Sequence, residues 1–297
     1  MDQDELTMDW LANAYAGMSR RQFLSTVGAT GAGLAGFAVA SKAVAGEIIR
    51  TPTTGLTVTE ATIPSGGFPL PIYAAHPAAP GRYPVVLVIP EIFGMHEHIK
   101  DVTRRFGAAG FLGITFEPYA RAGGVLHLPD QPAVLKVANA LPDAQAMADL
   151  DALALHAKGH PAANGEALGV TGFCRGGLYT LLYAAHNRGV KAAVPWYGQI
   201  KPAKTPGIRT VGPLEVAGTI SAPVLGLYGA EDRGIPVADV QEMEAALKAA
   251  GASAEFIIYP GAPHAFHADY RPSYRPDAAQ DAWARCVAFL KKHLAGS

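Results

Sequence analysis

Several functional classes are excluded by what this chain has little of. It carries two cysteines in 297 residues, Cys174 and Cys286, which is too few for a disulfide framework and offers no zinc-ligand spacing. One bridge between them would consume the residue proposed below as a nucleophile. Charged residues make up only 16%, and the formal net charge is -1, so no basic excess exists to hold a nucleic acid. The longest mild apolar run, 26–40, is too short and too rich in glycine for a stable membrane span. Aromatic residues are also sparse, at 8%. What is plentiful is glycine, with 33 residues, and apolar side chains at 49%. That balance fits a layered α/β domain with tight turns and a large core.

The first 45 residues read as an extension, followed by one domain over 46–297. Ser19-Arg20-Arg21-Gln22-Phe23-Leu24 precedes the Gly/Ala run, and Ala43-Val44-Ala45 supplies a small-residue cleavage pattern. Paired arginines, a weakly hydrophobic stretch and that ending resemble a twin-arginine export signal. The expectation is export, periplasmic or extracellular, by the twin-arginine machinery; the alternative is a cytoplasmic protein with an amphipathic extension. The acidic start (Asp2, Asp4, Glu5, Asp9) departs from the usual positive n-region. Gly31-Ala-Gly33-Leu-Ala-Gly36 spells the dinucleotide fingerprint, but no strand precedes it. It is rejected, and no cofactor is expected.

Beyond residue 50 the hydrophobic pattern alternates between strands and helices. Residues 56–63 are alternating and β-branched, Gly66-Gly67 turns them, and 70–75 returns as the second arm of a hairpin. The continuous apolar run 85–89 reads as a strand buried on both faces. A helix over 98–109 and a strand over 111–116 follow. Residues 117–141, dense in Pro, Gly and Asp, read as an excursion over one end of the sheet. A helix at 143–158 leads to an apolar run at 167–170. Strands at 192–197, 223–228 and 255–259, and helices at 237–250 and 277–294, complete the pattern, with 199–219 as loop. Strand–helix–strand repetition of this kind implies right-handed parallel crossovers.

The chain is organised around Val170-Thr-Gly172-Phe-Cys174-Arg-Gly176-Gly177. Strand, tight turn and helix in that order are the setting of a nucleophile elbow, G-x-S-x-G, with cysteine in the serine's place. The glycines are needed because the turn leaves no room for a side chain two residues either side. The helix that follows points its N-terminal N–H groups at the thiol. In this arrangement the acid and the histidine come later in the chain. Asp232 follows one strand, preferred over its neighbour Glu231, and His264 follows the last. Glu91, at the mouth of the 85–89 strand, is a carboxylate that needs a partner. The backbone N–H groups of Ile92 and Arg175 stand where oxyanion donors are expected.

Together these motifs resemble the dienelactone hydrolase family, over about residues 55–294. The matching stretches are Pro90-Glu-Ile-Phe-Gly94, Pro118-Tyr-Ala-Arg121, Gly172-Phe-Cys-Arg-Gly-Gly177, Trp196-Tyr-Gly198, Gly229-Ala-Glu-Asp232 and Gly261-Ala-Pro-His-Ala-Phe266. The resemblance implies an α/β-hydrolase fold, a mostly parallel central sheet with helices on both faces. It implies a cysteine-dependent hydrolase of ester or lactone bonds: Cys174 nucleophile, His264 base, Asp232 its orienting carboxylate, Glu91 controlling the thiol's proton. In that family the thiol is paired with the glutamate at rest and is activated when substrate arrives. Arg121, Tyr197 and Phe266, from the matching motifs, are candidate substrate contacts. The partner is then a small-molecule ester or lactone. The alternatives are acyl transfer or peptide hydrolysis on the same triad, or an exported binding or thiol protein without turnover.

Family members that open dienelactone hold its carboxylate with an arginine in the excursion and another just after the histidine. Here the four residues after His264 are Ala265, Phe266, His267 and Ala268, and 122–141 has no arginine. Arg271 lies farther on. The resemblance therefore carries over the reaction class and leaves the dienelactone substrate open. His96-Glu97-His98 is read as a solvated loop without a metal, and Arg104-Arg105 as a solvated helix face.

Overall fold

The computed structural model describes residues 48–295. The signal-like segment 1–45 and its glycine pattern lie outside the described residues. The alternating run forms β1 (Leu56–Ser65) and β2 (Phe68–Pro77), an antiparallel hairpin. Gly66 and Gly67 turn it at φ of 55° and 79°, a region that glycine enters without a Cβ clash. Strands β3 (Tyr83–Ile89), β4 (Leu112–Phe116), β5 (Ala163–Phe173), β6 (Val190–Trp196), β7 (Val224–Gly229) and β8 (Ala254–Tyr259) follow. The eight strands form one sheet in the order β1-β2-β4-β3-β5-β6-β7-β8. Pairing is parallel from β4 to β8 and antiparallel only where β2 joins β4 and β1.

Among the described residues seven α-helices connect and cover these strands: α1 (Glu97–Ala108), α2 (Gln131–Ala140), α3 (Asp143–Lys158), α4 (Arg175–His186), α5 (Pro213–Val216), α6 (Val237–Ala249) and α7 (Pro276–Leu294). The two-residue period of β5 shows both faces covered. A Cβ on Gly169 would meet Leu290 and Leu294 of α7, whereas one on Gly172 would meet Gly176 of α4. Val86, Leu87 and Val88 are fully buried between these layers. Each such side chain contributes about 1.5–3 kcal/mol when withdrawn from water. This is the α/β-hydrolase fold expected from the sequence.

The excursion differs from a plain loop because it holds α2. Asp130 caps it, accepting a hydrogen bond from Ala133 N–H at 2.8 Å, and Pro132 occupies the first turn. Val134 and Ala138 of α2 pack with Ile92, Phe93, Tyr119 and Val125 as a small second core. Glu117, at the end of β4, accepts from Met95 N–H (2.8 Å) and Tyr119 N–H (3.0 Å). The loop that carries Glu91 and Ile92 is therefore held from both sides.

Candidate active site

The turn from β5 into α4 forces Cys174 to φ 57° and ψ -113°. Its own N–H donates to Trp196 O at 3.0 Å, which fixes the turn against β6. Among the described residues, three non-glycine residues have positive φ: Cys174, Tyr197 (38°) and Ala265 (60°). Tyr197 lines the same cleft as Cys174, and Ala265 directly follows His264, so the backbone strain is concentrated in one place.

Asp232 follows β7 and His264 follows β8. His264 Nδ1 and Asp232 Oδ2 lie 2.6 Å apart. An ionised carboxylate only accepts, so Nδ1 carries the hydrogen and Nε2 is left for the thiol. Asp232 Oδ1 accepts from Gly234 N–H at 2.9 Å, so both of its oxygens are held. Glu231 has no such bond to the ring; its side chain belongs to an exposed residue. Burial would lower the His264 pKa, but the Cys174 charge, the Asp232 hydrogen bond and the Cys174 hydrogen bond raise it to about 10. The Tyr197 ring meets His264 edge-on at 5.2 Å.

These groups open into a cleft of about 970 Å³, lined by Cys174, His264, Asp232, Ile92, Arg175, Tyr197, Arg233 and Arg271 among others. Arg175 donates from Nη2 to Asn139 Oδ1 of α2 at 2.5 Å. Its buried Nη1 has no hydrogen-bond partner among the described residues. Two of the sequence candidates are elsewhere. Arg121 binds Asp149 (2.8 Å) and Ser65 O (2.9 Å) and lies over the Phe68 ring, tying the hairpin to α3. Phe266 is fully buried against Trp196, Tyr197 and Tyr259. Neither lines the cleft.

Glu91 is buried, and its Oε2 accepts from the Tyr270 hydroxyl at 2.6 Å and from His96 Nε2 at 3.2 Å. Oε1 has no hydrogen-bond partner among the described residues. Burial alone would raise this carboxyl, but the His96 hydrogen bond and the charges of His96, His98 and Arg271 hold it at about 2. The pairing recorded here is therefore with His96 and Tyr270.

This corrects two readings of the sequence. His96 and His98 are not in a solvated loop; they are 1% and 3% exposed, His98 paired with Asp269 at 3.0 Å. Arg104 and Arg105 are likewise not a solvated face. Arg104 reaches Tyr73, Glu97 and Asp101, and Arg105 binds Asp101 (2.6 Å) and Asp269 (2.7 Å). Asp269 and Tyr270, far away in sequence, supply partners of His98, Arg105 and His96, whereas Arg104 is held by Tyr73 and by Glu97 and Asp101 of its own helix. Among the described residues no cluster is arranged to hold a metal ion. Arg271 was discounted for standing seven positions past His264, yet it lines the cleft beside Cys174.

Comparison with known proteins agrees with this geometry. The Dienelactone hydrolase family matches over residues 70–294. A provisionally named carboxymethylenebutenolidase of Methylorubrum extorquens is 47% identical over 278 residues, covering 93% of this chain and 94% of the relative. A provisionally named 2-oxo-3-(5-oxofuran-2-ylidene)propanoate lactonase of Bradyrhizobium sp is 34% identical, covering 75% of this chain and 90% of that protein. The crystal structure of a provisionally named dienelactone hydrolase from Klebsiella pneumoniae superposes with a TM-score of 0.77 at 45% identity, covering 80% of this chain and 99% of that one. With a parallel sheet, an elbow after β5 and these relatives, the chain belongs to the dienelactone hydrolase family, as a carboxylic ester hydrolase on an α/β-hydrolase frame.

Proposed function

We propose that the protein hydrolyses lactones or esters through an acyl-enzyme on Cys174, with His264 carrying the proton and Asp232 orienting it. The observation that carries this reading is the Cys174–His264–Asp232 line at the ends of three parallel strands, closed by the 2.6 Å Nδ1–Oδ2 bond. With His264 at about 10, the thiol's proton resides on the imidazole in the reactive form. Sulfur attacks the acyl carbonyl, and the N–H groups of Ile92 and Arg175 stabilise the oxyanion. The acyl C–O bond then breaks, and the His264 proton passes to the leaving oxygen. Neutral His264 next takes a proton from water, the hydroxide attacks the thioester, and the C–S bond breaks. Glu91, ionised and bonded to His96 and Tyr270, is assigned the control of the thiol's proton that the family resemblance implies.

The cleft also suggests what the substrate carries. Arg271, Arg233 and Arg175 line it, and Arg175 has an unpaired Nη1, so an acyl group bearing a carboxylate would be complemented. The Bradyrhizobium relative is named for a substrate of that kind, a lactone ending in a propanoate. Intact-mass spectrometry after rapid mixing with a carboxylate-bearing lactone should show a transient adduct of one acyl group, mapped to Cys174. The neutral amide of that lactone should react more slowly, and Arg271→Gln should narrow the difference about tenfold or more. A permanent adduct, or none on Cys174, would refute the hydrolytic reading.

The protonated state of His264 has a pH consequence. The reactive form needs that proton for the leaving oxygen, so kcat/KM should fall as pH rises through about 10. Asp232→Asn removes one raising cause and should move this basic limb to lower pH. The same raised pKa favours the folded state, fully below the ordinary histidine value of about 6.5, and this contribution fades as pH climbs through 10. A pH–rate profile with a stable lactone measures the limb; no movement in Asp232→Asn would separate the carboxylate from the titration.

A further inference from the structure

Behind the cleft lies a set of buried polar groups that the acyl-transfer steps do not use. His96 opens towards Glu91, its ring stacked on His98 with centroids 5.9 Å apart and edge-on to Tyr270 at 5.1 Å. His98 Nδ1 is 3.0 Å from Asp269 Oδ1, and Asp269 Oδ2 accepts from Arg105 at 2.7 Å. These groups come from the loop after β3, from α1 and its N-cap, and from the segment after β8. A buried polar network contributes less stability than apolar side chains of the same shape, so its use here points to orientation.

The hydrogen-bond inventory places a hydrogen on His96 Nε2, because Glu91 is ionised and only accepts. Nδ1 has no hydrogen-bond partner among the described residues. Burial, with the charges of His98 and Arg271, lowers the His96 pKa, against the pull of Glu91. With two donors on Oε2, the Glu91 carboxylate is fixed in rotation, and Oε1 is its one oxygen without a hydrogen-bond partner.

We propose that His96, steadied by His98, Asp269 and Arg105, is a positioning residue that locks Glu91 Oε2 and so keeps Glu91 ionised. The catalytic consequence rests on the reading of Cys174 and Glu91 above; the effect on Glu91 itself does not. The groups that face Glu91 are His96 and His98 beside α1, Tyr197 after β6, and His267, Tyr270 and Arg271 after β8. His96→Met leaves the others in place and removes one donor.

The test follows the Glu91 carboxyl by carbon NMR in protein labelled at glutamate, assigned by Glu91→Gln, alongside kcat/KM against pH. In the parent the resonance should not titrate between pH 8 and 4. In His96→Met its midpoint should rise above 4, about two pH units or a hundredfold in proton affinity, with a new acid limb in kcat/KM at that midpoint. His264, at about 10, does not titrate in that window. His96→Gln keeps an N–H donor and should restore both parent profiles. An unmoved resonance in His96→Met overturns the proposal, as does a rate loss equal at all pH that merely follows a lower Tm. Failure of His96→Gln to restore the profile also overturns it. If His96→Met does not fold, Asp269→Asn should move the resonance in the same direction by less, and no movement there is equally fatal. Retained hydrolysis in Cys174→Ala would refute the nucleophile while leaving the Glu91 titration unaffected, so the two failures are distinguishable.

Discussion

Replacing Cys174 by alanine should lower kcat/KM for a lactone or ester by about a thousandfold or more while Tm stays near that of the parent. The sulfur is the only group at the elbow that the proposed mechanism uses as a nucleophile, so its removal leaves only His264-assisted water attack into the oxyanion donors. The fold has little reason to suffer. Alanine keeps the Cβ that already tolerates φ 57°, and the Cys174 N–H to Trp196 O bond involves no side chain. Cys174 is itself only partly buried, so the void left opens to the cleft and not into the core. Cys174→Ser is the informative companion. Its hydroxyl does not hand its proton to His264 as readily, so it should recover only a small part of the loss. Steady-state kinetics, thermal melts and the adduct mass measured together check this. Retention of more than a tenth of the parent rate in Cys174→Ala would remove cysteine from the chemistry.

The residues that proved legible in the sequence are those whose constraint is local. The glycines around Cys174, the buried run that became β3 and the strand ends before Asp232 and His264 each announce themselves within a few positions. So does α3, found over Asp143–Lys158 where its pattern runs. The parallel run of the central strands was legible too, because strand–helix–strand repetition implies parallel crossovers. What was missed is long-range or was masked by composition. α2 carries a proper start, Asp130 followed by Pro132, but lies in a stretch whose density of Pro, Gly and Asp reads as loop. The burial of His98 and Arg105 depends on Asp269, and that of His96 on Tyr270, more than 160 residues away in sequence, whereas Arg104 is held by Tyr73 and by Glu97 and Asp101 of its own helix. Arg271 illustrates the same limit. Counting four residues past His264 finds no cation, but the segment after β8 makes a turn before it returns, and position 271 arrives in the cleft.

The elbow also predicts a large stability effect from a conservative change. Gly176→Ala should destabilise the protein by about 3 kcal/mol or more and abolish hydrolysis even in whatever fraction stays folded. Gly176 has no left-handed conformation to excuse it; space is the constraint. A Cβ there would overlap the Ile89 carbonyl oxygen and come within 2.7 Å of the Ile89 carbon and of Pro90 O. These are backbone atoms of β3 and of the loop after it, so no side chain can swing away. Relief requires α4 to withdraw from β3, which moves Arg175 N–H away from Ile92 N–H. Fold and oxyanion geometry are therefore lost by the same displacement. Gly218→Ala is the matched control, since nothing lies within 4 Å of the added carbon and its φ is ordinary. It should change stability by no more than about 0.5 kcal/mol. Urea unfolding of both variants gives the comparison. Equal midpoints would mean that α4 and β3 can separate without consequence, and the close approach of helix to strand would then not be what holds Cys174 at the head of the cleft.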